Sequence, residues 1–232
     1  MIDTDEIYLS DRKFSINQSL EKIWADYYGT EELYNPISAI YPNGVIPDSL
    51  MFLSLNPSLQ PKNIGKAKRG NSPAPPYPNI DWRKEKADYI FFQKFYEIGK
   101  KFGSWSILDL LYIRETKQKK IEAMFYSKDV NRNERKFIQE QIKLTFEILR
   151  ELKPKVVVVS NSLTDKLIHS CVKNLGITQE FPANSNKYIY KLNSIPFITN
   201  ESKFLGSRIH SYNYERRKKL TEEISRVLKN CP

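Results

Sequence analysis

Apolar and polar residues along the chain follow two periods, one typical of helices and one typical of strands. Four segments carry apolar residues at helical spacing and are predicted as helices: 16–28, 84–102, 134–152 and 213–229. Four short apolar runs bounded by turn residues are predicted as strands: 51–55, 105–113, 155–159 and 195–199. This alternation predicts an α/β fold, a three-layer α/β/α sandwich with a mostly parallel central sheet.

Three local patterns add detail to this architecture. Ser162-Leu-Thr-Asp165 resembles a capping box and predicts the start of a further helix. Tyr188–Leu192 alternates and predicts an edge strand. Lys155-Val-Val-Val-Val159 has no polar face, and such β-branched runs are typical of a central parallel strand covered on both faces.

Polar residues stand in or at the ends of the predicted strands. They are Asn56 after the first strand, Asp109 in or at the end of the second, Ser160-Asn161 after the valine run and Asn200-Glu201-Ser202 after the last. The carboxyl ends of parallel strands open onto one crevice, so these side chains are expected to assemble a binding or catalytic site there. Asp109 interrupts an apolar run, and a buried carboxylate is costly without a partner. It therefore either belongs to the site, pairs with Arg114 or Lys155, or caps the segment that follows.

Charge and composition change this picture in two ways. The chain has 37 Lys and Arg residues against 27 Asp and Glu residues, a formal charge of +10, which fits either an anionic partner such as nucleic acid or a solvated basic surface. Residues 60–82 form a long Pro/Lys-rich loop, and such loops are typically functional or mobile tethers. The length of 232 residues suits a single domain over 1–232.

The cysteines and the N-terminal residues bear on the compartment. Cys171 and Cys231 are the only cysteines, so we expect no disulfide framework and no metal site. Met1–Ile7 lacks the basic start and the apolar run of a signal peptide, and no apolar run in the sequence is long enough to span a bilayer. We therefore expect a cytoplasmic protein that does not enter a membrane.

The order of several motifs resembles the uracil-DNA glycosylase superfamily. Leu53-Ser-Leu-Asn-Pro-Ser58 is similar to its first motif, in the Asn-Pro form of the mismatch-specific and single-strand-selective branches. Ile107–Arg114 is similar to the second strand, Leu152–Ser160 to the penultimate strand, and Phe197–Ser202 to the last motif. The resemblance covers roughly Val45–Leu228. Its order and spacing, rather than any one motif, carry it.

This resemblance implies a uracil-DNA glycosylase-like fold and an enzyme, a DNA N-glycosylase. Such an enzyme hydrolyses the N-glycosidic bond of a uracil or of another deaminated or damaged base. Two positions depart from the family pattern: Asn161 stands in place of a Gly, and Glu201 stands in place of a Pro. The alternative is a catalytically inactive nucleic-acid- or nucleotide-binding module on the same fold.

The resemblance also implies roles for individual residues. Asn56 would orient the attacking water and Asn200 would donate a hydrogen bond to the base, as the catalytic pair. The substrate-binding residues would be Pro57, Tyr77, Asp109 and Ser202. Tyr77 would stack on the flipped base, and Trp82 is the second candidate for this role. Contacts to nucleic acid fall to Lys62, Lys203, Arg208 and the run 66–69. The partner would be single- or double-stranded DNA, the protein a monomer, and neither a metal nor another cofactor would be needed.

Overall fold

A computed structural model describes the protein over residues 18–20, 22–27, 46–56, 90–113, 115, 117–128, 132–180, 189–199 and 214–229. The chain divides into two compact units. The first unit comprises 1–43, 56–79 and 109–146, and the second comprises 44–55, 80–108 and 147–232. The single domain expected over 1–232 stays a prediction.

A six-stranded sheet has the strand order β2-β1-β3-β6-β5-β4. The strands are β1 (Leu50–Ser54), β2 (Trp105–Asp109), β3 (Val156–Val159), β4 (Gln179–Glu180), β5 (Ile189–Leu192) and β6 (Ile195–Ile198). β3 pairs in parallel with both β1 and β6, whereas β5 is antiparallel to β6 and to β4. At the starts of β1 and β2, the Leu50 N–H donates to Ser104 O at 3.2 Å. The prediction of an α/β protein with a mostly parallel sheet is confirmed.

The four valines form β3, and all four are buried. β3 lies between β1 and β6 in the sheet. The prediction of a central strand is therefore confirmed. The edge prediction for 188–192 is wrong, because β5 lies between β6 and β4. β4 has only two residues, Gln179 and Glu180, and this is too short to leave an alternating pattern in the sequence.

Five helices have defined bounds in the described part of the chain: α1 (Ile90–Gly99), α2 (Gln118–Tyr126), α3 (Arg132–Leu152), α4 (Ser162–Cys171) and α5 (Tyr214–Lys229). Residues 18–20 and 22–27 are also helical, in agreement with the helix predicted over 16–28. α3 contributes to both units, through Phe146 to the first and from Glu147 to the second. α2 was not predicted, since its apolar stripe of Ile121, Met124 and Phe125 follows a basic run.

The core of the second unit forms where α1 and α5 pack on the sheet. Phe52, Phe95 and Trp105 meet there, with ring centroids 5.1 and 5.9 Å from Phe52. Gly99 is required beside this cluster, because a Cβ atom at that position would lie 2.3 Å from the Trp105 ring. In the first unit, Trp24 packs edge-on against Phe137 of α3, at 4.9 Å between centroids.

Membrane-spanning helices and metal-ligand clusters are both absent from the ranges that the structure describes. Over these ranges, no helix is both long enough and apolar enough to cross a bilayer. The same ranges contain no group of three His, Cys, Asp or Glu side chains that could hold a metal ion.

Candidate functional site

Asn56 follows β1 and lies in the first unit, where its side chain binds the chain that follows β2. Its amide nitrogen Nδ2 donates to Ile113 O at 2.8 Å and to Glu115 O at 2.7 Å. An amide nitrogen has two N–H bonds, and both are used by these carbonyl groups. The orientation of the amide is therefore fixed, and only its carbonyl oxygen Oδ1 can bind a further group.

Glu115 links this contact to helix α2. Its backbone carbonyl accepts the hydrogen bond from Asn56, while its carboxylate accepts one from the Lys117 N–H at 2.8 Å. The second carboxylate oxygen lies 3.5 Å from the Lys120 ammonium group. Lys117 is the residue at the start of α2 and provides no side-chain cap of its own. The negative charge of Glu115 thus stabilises the positive end of the helix.

The segment from Leu110 to Ile113 is fully buried although it belongs to no helix or strand. Buried backbone groups need hydrogen-bond partners, and here two buried side chains of α3 supply them. Gln141 Oε1 accepts from the Tyr112 N–H at 2.8 Å, and Thr145 Oγ1 donates to Leu110 O at 2.9 Å. With Asn56 bonded to Ile113, three side chains hydrogen-bond to the backbone of this segment.

Tyr112 adds a neutral polar group within this segment. Its hydroxyl lies 3.3 Å from Thr145 Oγ1, and the ring is almost completely buried. Burial raises the pKa of Tyr112 far above its ordinary value, and the nearby charge of Asp109 acts in the same direction. The phenol therefore stays protonated and serves as a hydrogen-bonding group rather than as a base.

Asp109 is the last residue of β2 and is partly buried. The prediction that it lies in or at the end of the second strand is confirmed. Its backbone carbonyl lies 3.5 Å from Thr145 Oγ1, at the limit of a hydrogen bond. Lys155, one of the partners considered for Asp109, forms an ion pair with Asp48 at 3.1 Å. Arg114, the other partner considered, lies outside the described residues.

Most of the other residues assigned from the resemblance also lie outside the described residues. They are Asn200, Pro57, Tyr77, Trp82, Ser202, Lys62, Lys203, Arg208, Glu201 and the loop 60–82. Their roles stay predictions. Of the catalytic and substrate-binding residues that the resemblance implies, the structure describes Asn56 and Asp109, both in the first unit.

The second unit holds a separate polar network on α4. Asp165 accepts a hydrogen bond from Tyr190 at 3.1 Å and lies 3.5 Å from His169, which in turn contacts Gln179 at 3.0 Å. The hydrogen bond to Asp165 raises the pKa of His169, although burial acts against it. Burial opposes ionisation of Asp165, but His169 and the hydroxyl group of Tyr190 hold its pKa below its ordinary value.

The start of α4 differs from the capping box that the sequence suggested. Asn161, not Ser162, is the capping residue, and its side chain accepts a hydrogen bond from the Leu163 N–H at 2.8 Å. Asp165 faces His169 and Tyr190 instead of the helix start. Asn161, one of the two residues at which the sequence departs from the resemblance, therefore has a structural role as a helix cap.

The sequence matches no protein-family model and no curated protein. Three residues important to the geometry were not singled out from the sequence: Glu115, Gln141 and Thr145. A signal existed for the last two, since polar residues on the buried face of an amphipathic helix need partners. Glu115 follows an apolar run and gave no such signal.

Proposed function

We propose that the protein is a DNA N-glycosylase with a three-layer, uracil-DNA glycosylase-like fold. One observation carries the proposal beyond the sequence resemblance: the two hydrogen bonds from Asn56 Nδ2 to Ile113 and Glu115. They hold the amide so that its oxygen is a fixed acceptor at the end of a central strand. Such an acceptor suits the task of orienting one water molecule.

The chemistry that Asn56 can supply sets the expected rate. An amide oxygen is a weak base, so Asn56 would orient the water through a hydrogen bond and would contribute little to its deprotonation. Most of the acceleration would then come from stabilising the departing base anion, which the resemblance assigns to Asn200. A slow enzyme is expected, and extrusion of the target base would cost a few kcal/mol in addition.

Asp109 bears on which base is accepted. An ionised carboxylate accepts hydrogen bonds but cannot donate them. At the position implied by the resemblance, it favours a base edge that presents amino or N–H groups over plain uracil. Better excision of uracil than of deaminated purines would contradict this role. The net charge of +10 supports DNA as the partner, and a monomeric, cytoplasmic protein belongs to the same proposal.

The test uses oligonucleotides, single- and double-stranded, that carry uracil, hypoxanthine or xanthine, followed by alkaline cleavage. The result of Asn56→Ala alone would be ambiguous. This change removes the oxygen that would orient the water, and it also removes the two hydrogen bonds to Ile113 and Glu115. Thr145→Val is the matched control, since it releases the same segment from the α3 side and leaves Asn56 in place. If Asn56 acts on the water, Asn56→Ala abolishes strand breaks whereas Thr145→Val retains most of them.

The alternative is a catalytically inactive nucleic-acid-binding module on the same fold. The two hydrogen bonds from Asn56 favour this alternative, because they give Asn56 a structural role that needs no catalytic one beside it. Under this alternative, wild type makes no strand breaks on any substrate but binds oligonucleotides in a salt-sensitive manner. Equal loss of strand breaks in both variants would show that Asn56 acts by holding the loop.

A further inference from the structure

Glu115 carries a nearly buried carboxylate beside the backbone carbonyl that binds Asn56. Only 10% of the Glu115 side chain is exposed. A carboxylate so far removed from water needs partners, and here each of its oxygens has one. The Lys117 N–H donates to Oε1 at 2.8 Å, and the Lys120 ammonium group lies 3.5 Å from Oε2. The carboxylate is therefore held in one position at the start of α2.

The hydrogen bond from Lys117 also fixes the direction of the Glu115 backbone carbonyl. It joins the side chain of one residue to the N–H two positions later, a pattern by which side chains define a local backbone conformation. The ring of atoms that this bond closes contains the carbonyl carbon of Glu115. The carbonyl group therefore cannot rotate freely while the bond is intact.

This carbonyl is one of the two groups that orient Asn56. It accepts from Asn56 Nδ2 at 2.7 Å, and Ile113 O accepts from the same nitrogen at 2.8 Å. Ile113 belongs to the buried segment that α3 holds, so its carbonyl does not depend on the Glu115 side chain. With the bond to Ile113 alone, the amide could turn about that bond, and Oδ1 would no longer be directed to one point.

We infer that Glu115 is a positioning residue for Asn56: its carboxylate, bound at the start of α2, holds the carbonyl group that sets the direction of Asn56 Oδ1. The inference rests on the proposed function, to which it adds a residue that acts through Asn56 rather than on the substrate. It also couples α2 to the reaction, since a change at the start of this helix would disorient the amide. All of these groups belong to the first unit.

The geometric part of the inference is tested by NMR on the full chain, through the two side-chain amide protons of Asn56. Their signals are the pair that is missing from the spectrum of Asn56→Ala. In wild type both protons are hydrogen-bonded and should exchange slowly with solvent. Glu115→Ala is expected to speed their exchange. Glu115→Gln should keep it slow, because the new amide oxygen can still accept from the Lys117 N–H.

The catalytic part is read from strand breaks, as kcat and KM on the same uracil, hypoxanthine and xanthine oligonucleotides. Glu115→Ala is expected to lower kcat about 10- to 100-fold with KM unchanged, because a misdirected water slows the chemical step and not the binding. Glu115→Gln should recover most of kcat.

Arg135→Ala is the matched control for the stability of α2. The Arg135 guanidinium group of α3 donates to Phe125 O at 2.8 Å and to Ser127 O at 3.4 Å, so this change loosens the opposite end of the helix. It leaves the contacts of Glu115 intact and should keep kcat close to that of wild type.

Two results would overturn the inference. One is slow exchange of the Asn56 amide protons in Glu115→Ala. The other is an equal loss of kcat in Glu115→Ala and Arg135→Ala, which would show that Glu115 acts only through the stability of α2. Failure of the glycosylase proposal is read separately, as the absence of strand breaks in wild type. In that case the exchange rates still decide whether Glu115 fixes the amide.

Discussion

Two buried threonines, Thr145 and Thr164, provide a matched test of the polar contacts that shape the candidate site. Both lie in helices and both are completely buried. Thr145 Oγ1 donates to Leu110 O at 2.9 Å, whereas Thr164 Oγ1 has no hydrogen-bond partner among the described residues. Valine has nearly the same shape and helix propensity as threonine, so each Thr→Val change removes essentially one hydroxyl group.

The size of the difference follows from what each hydroxyl leaves behind. Thr145→Val leaves the carbonyl of Leu110, itself fully buried, without this donor, and an unsatisfied buried acceptor costs about 1–3 kcal/mol. Thr164→Val instead removes a buried polar atom that makes no bond, which is expected to be neutral or to stabilise by up to about 1 kcal/mol. The two variants should therefore differ by about 1–4 kcal/mol.

Urea unfolding followed by circular dichroism measures this difference, provided that the slope m is the same for all three proteins. Thermal unfolding should show the same order, with about 2–4 °C per kcal/mol for a chain of this size. If Thr145→Val lay within about 0.5 kcal/mol of wild type, the contact with Leu110 would not hold the segment. Equal destabilisation by both variants would indicate a general intolerance of the change, and the reasoning would be refuted.

Three further outcomes are expected. Gly99→Ala should destabilise the fold by about 1–3 kcal/mol in urea unfolding, despite a gain in helix propensity, because the new methyl group overlaps Trp105; a neutral result would mean that the ring moves aside. The pKa of His169 is raised by Asp165, so its stabilisation is present below about pH 6.5 and is lost as the pH rises through the folded value. His169→Ala should therefore cost more near pH 5.5 than near pH 8.5, by less than about 1 kcal/mol because the pair is partly exposed; the opposite order would contradict the pairing. Burial raises the pKa of Cys171 to about 12. In a Cys231→Ser background, the Cys171 thiol should therefore react with Ellman's reagent only in denaturant. Rapid labelling of the folded protein would refute its burial.

The sequence predicted the elements whose periodicity is strong. β3 has four buried β-branched residues in succession, and the predicted helix at 134–152 corresponds closely to α3. Such patterns are fixed by the face that each element buries, so they can be read without knowing its neighbours. α2 and β4 were missed, because the first begins in a basic run and the second has only two residues.

The candidate site was predicted less completely, and the reason is physical. The position of Asn56 after one strand, and that of Asp109 in or at the end of another, follow from chain continuity. The bonds from Asn56 to the carbonyls of Ile113 and Glu115 do not, since backbone acceptors are the same at every position of a sequence. The apolar run at 105–113 read as one strand, but the strand ends at Asp109 and the rest is irregular.

The way in which Leu110–Ile113 is held has a consequence for the order of folding. Its side-chain partners Asn56, Gln141 and Thr145 are separated from the residues they bind by 57, 29 and 35 positions. Contacts between such distant positions form slowly, because large loops must close first. This segment cannot acquire its structure from its own neighbours, and during synthesis it must wait for α3 to be made. It should therefore gain protection from hydrogen exchange later than α3, whose helical hydrogen bonds join residues only four positions apart.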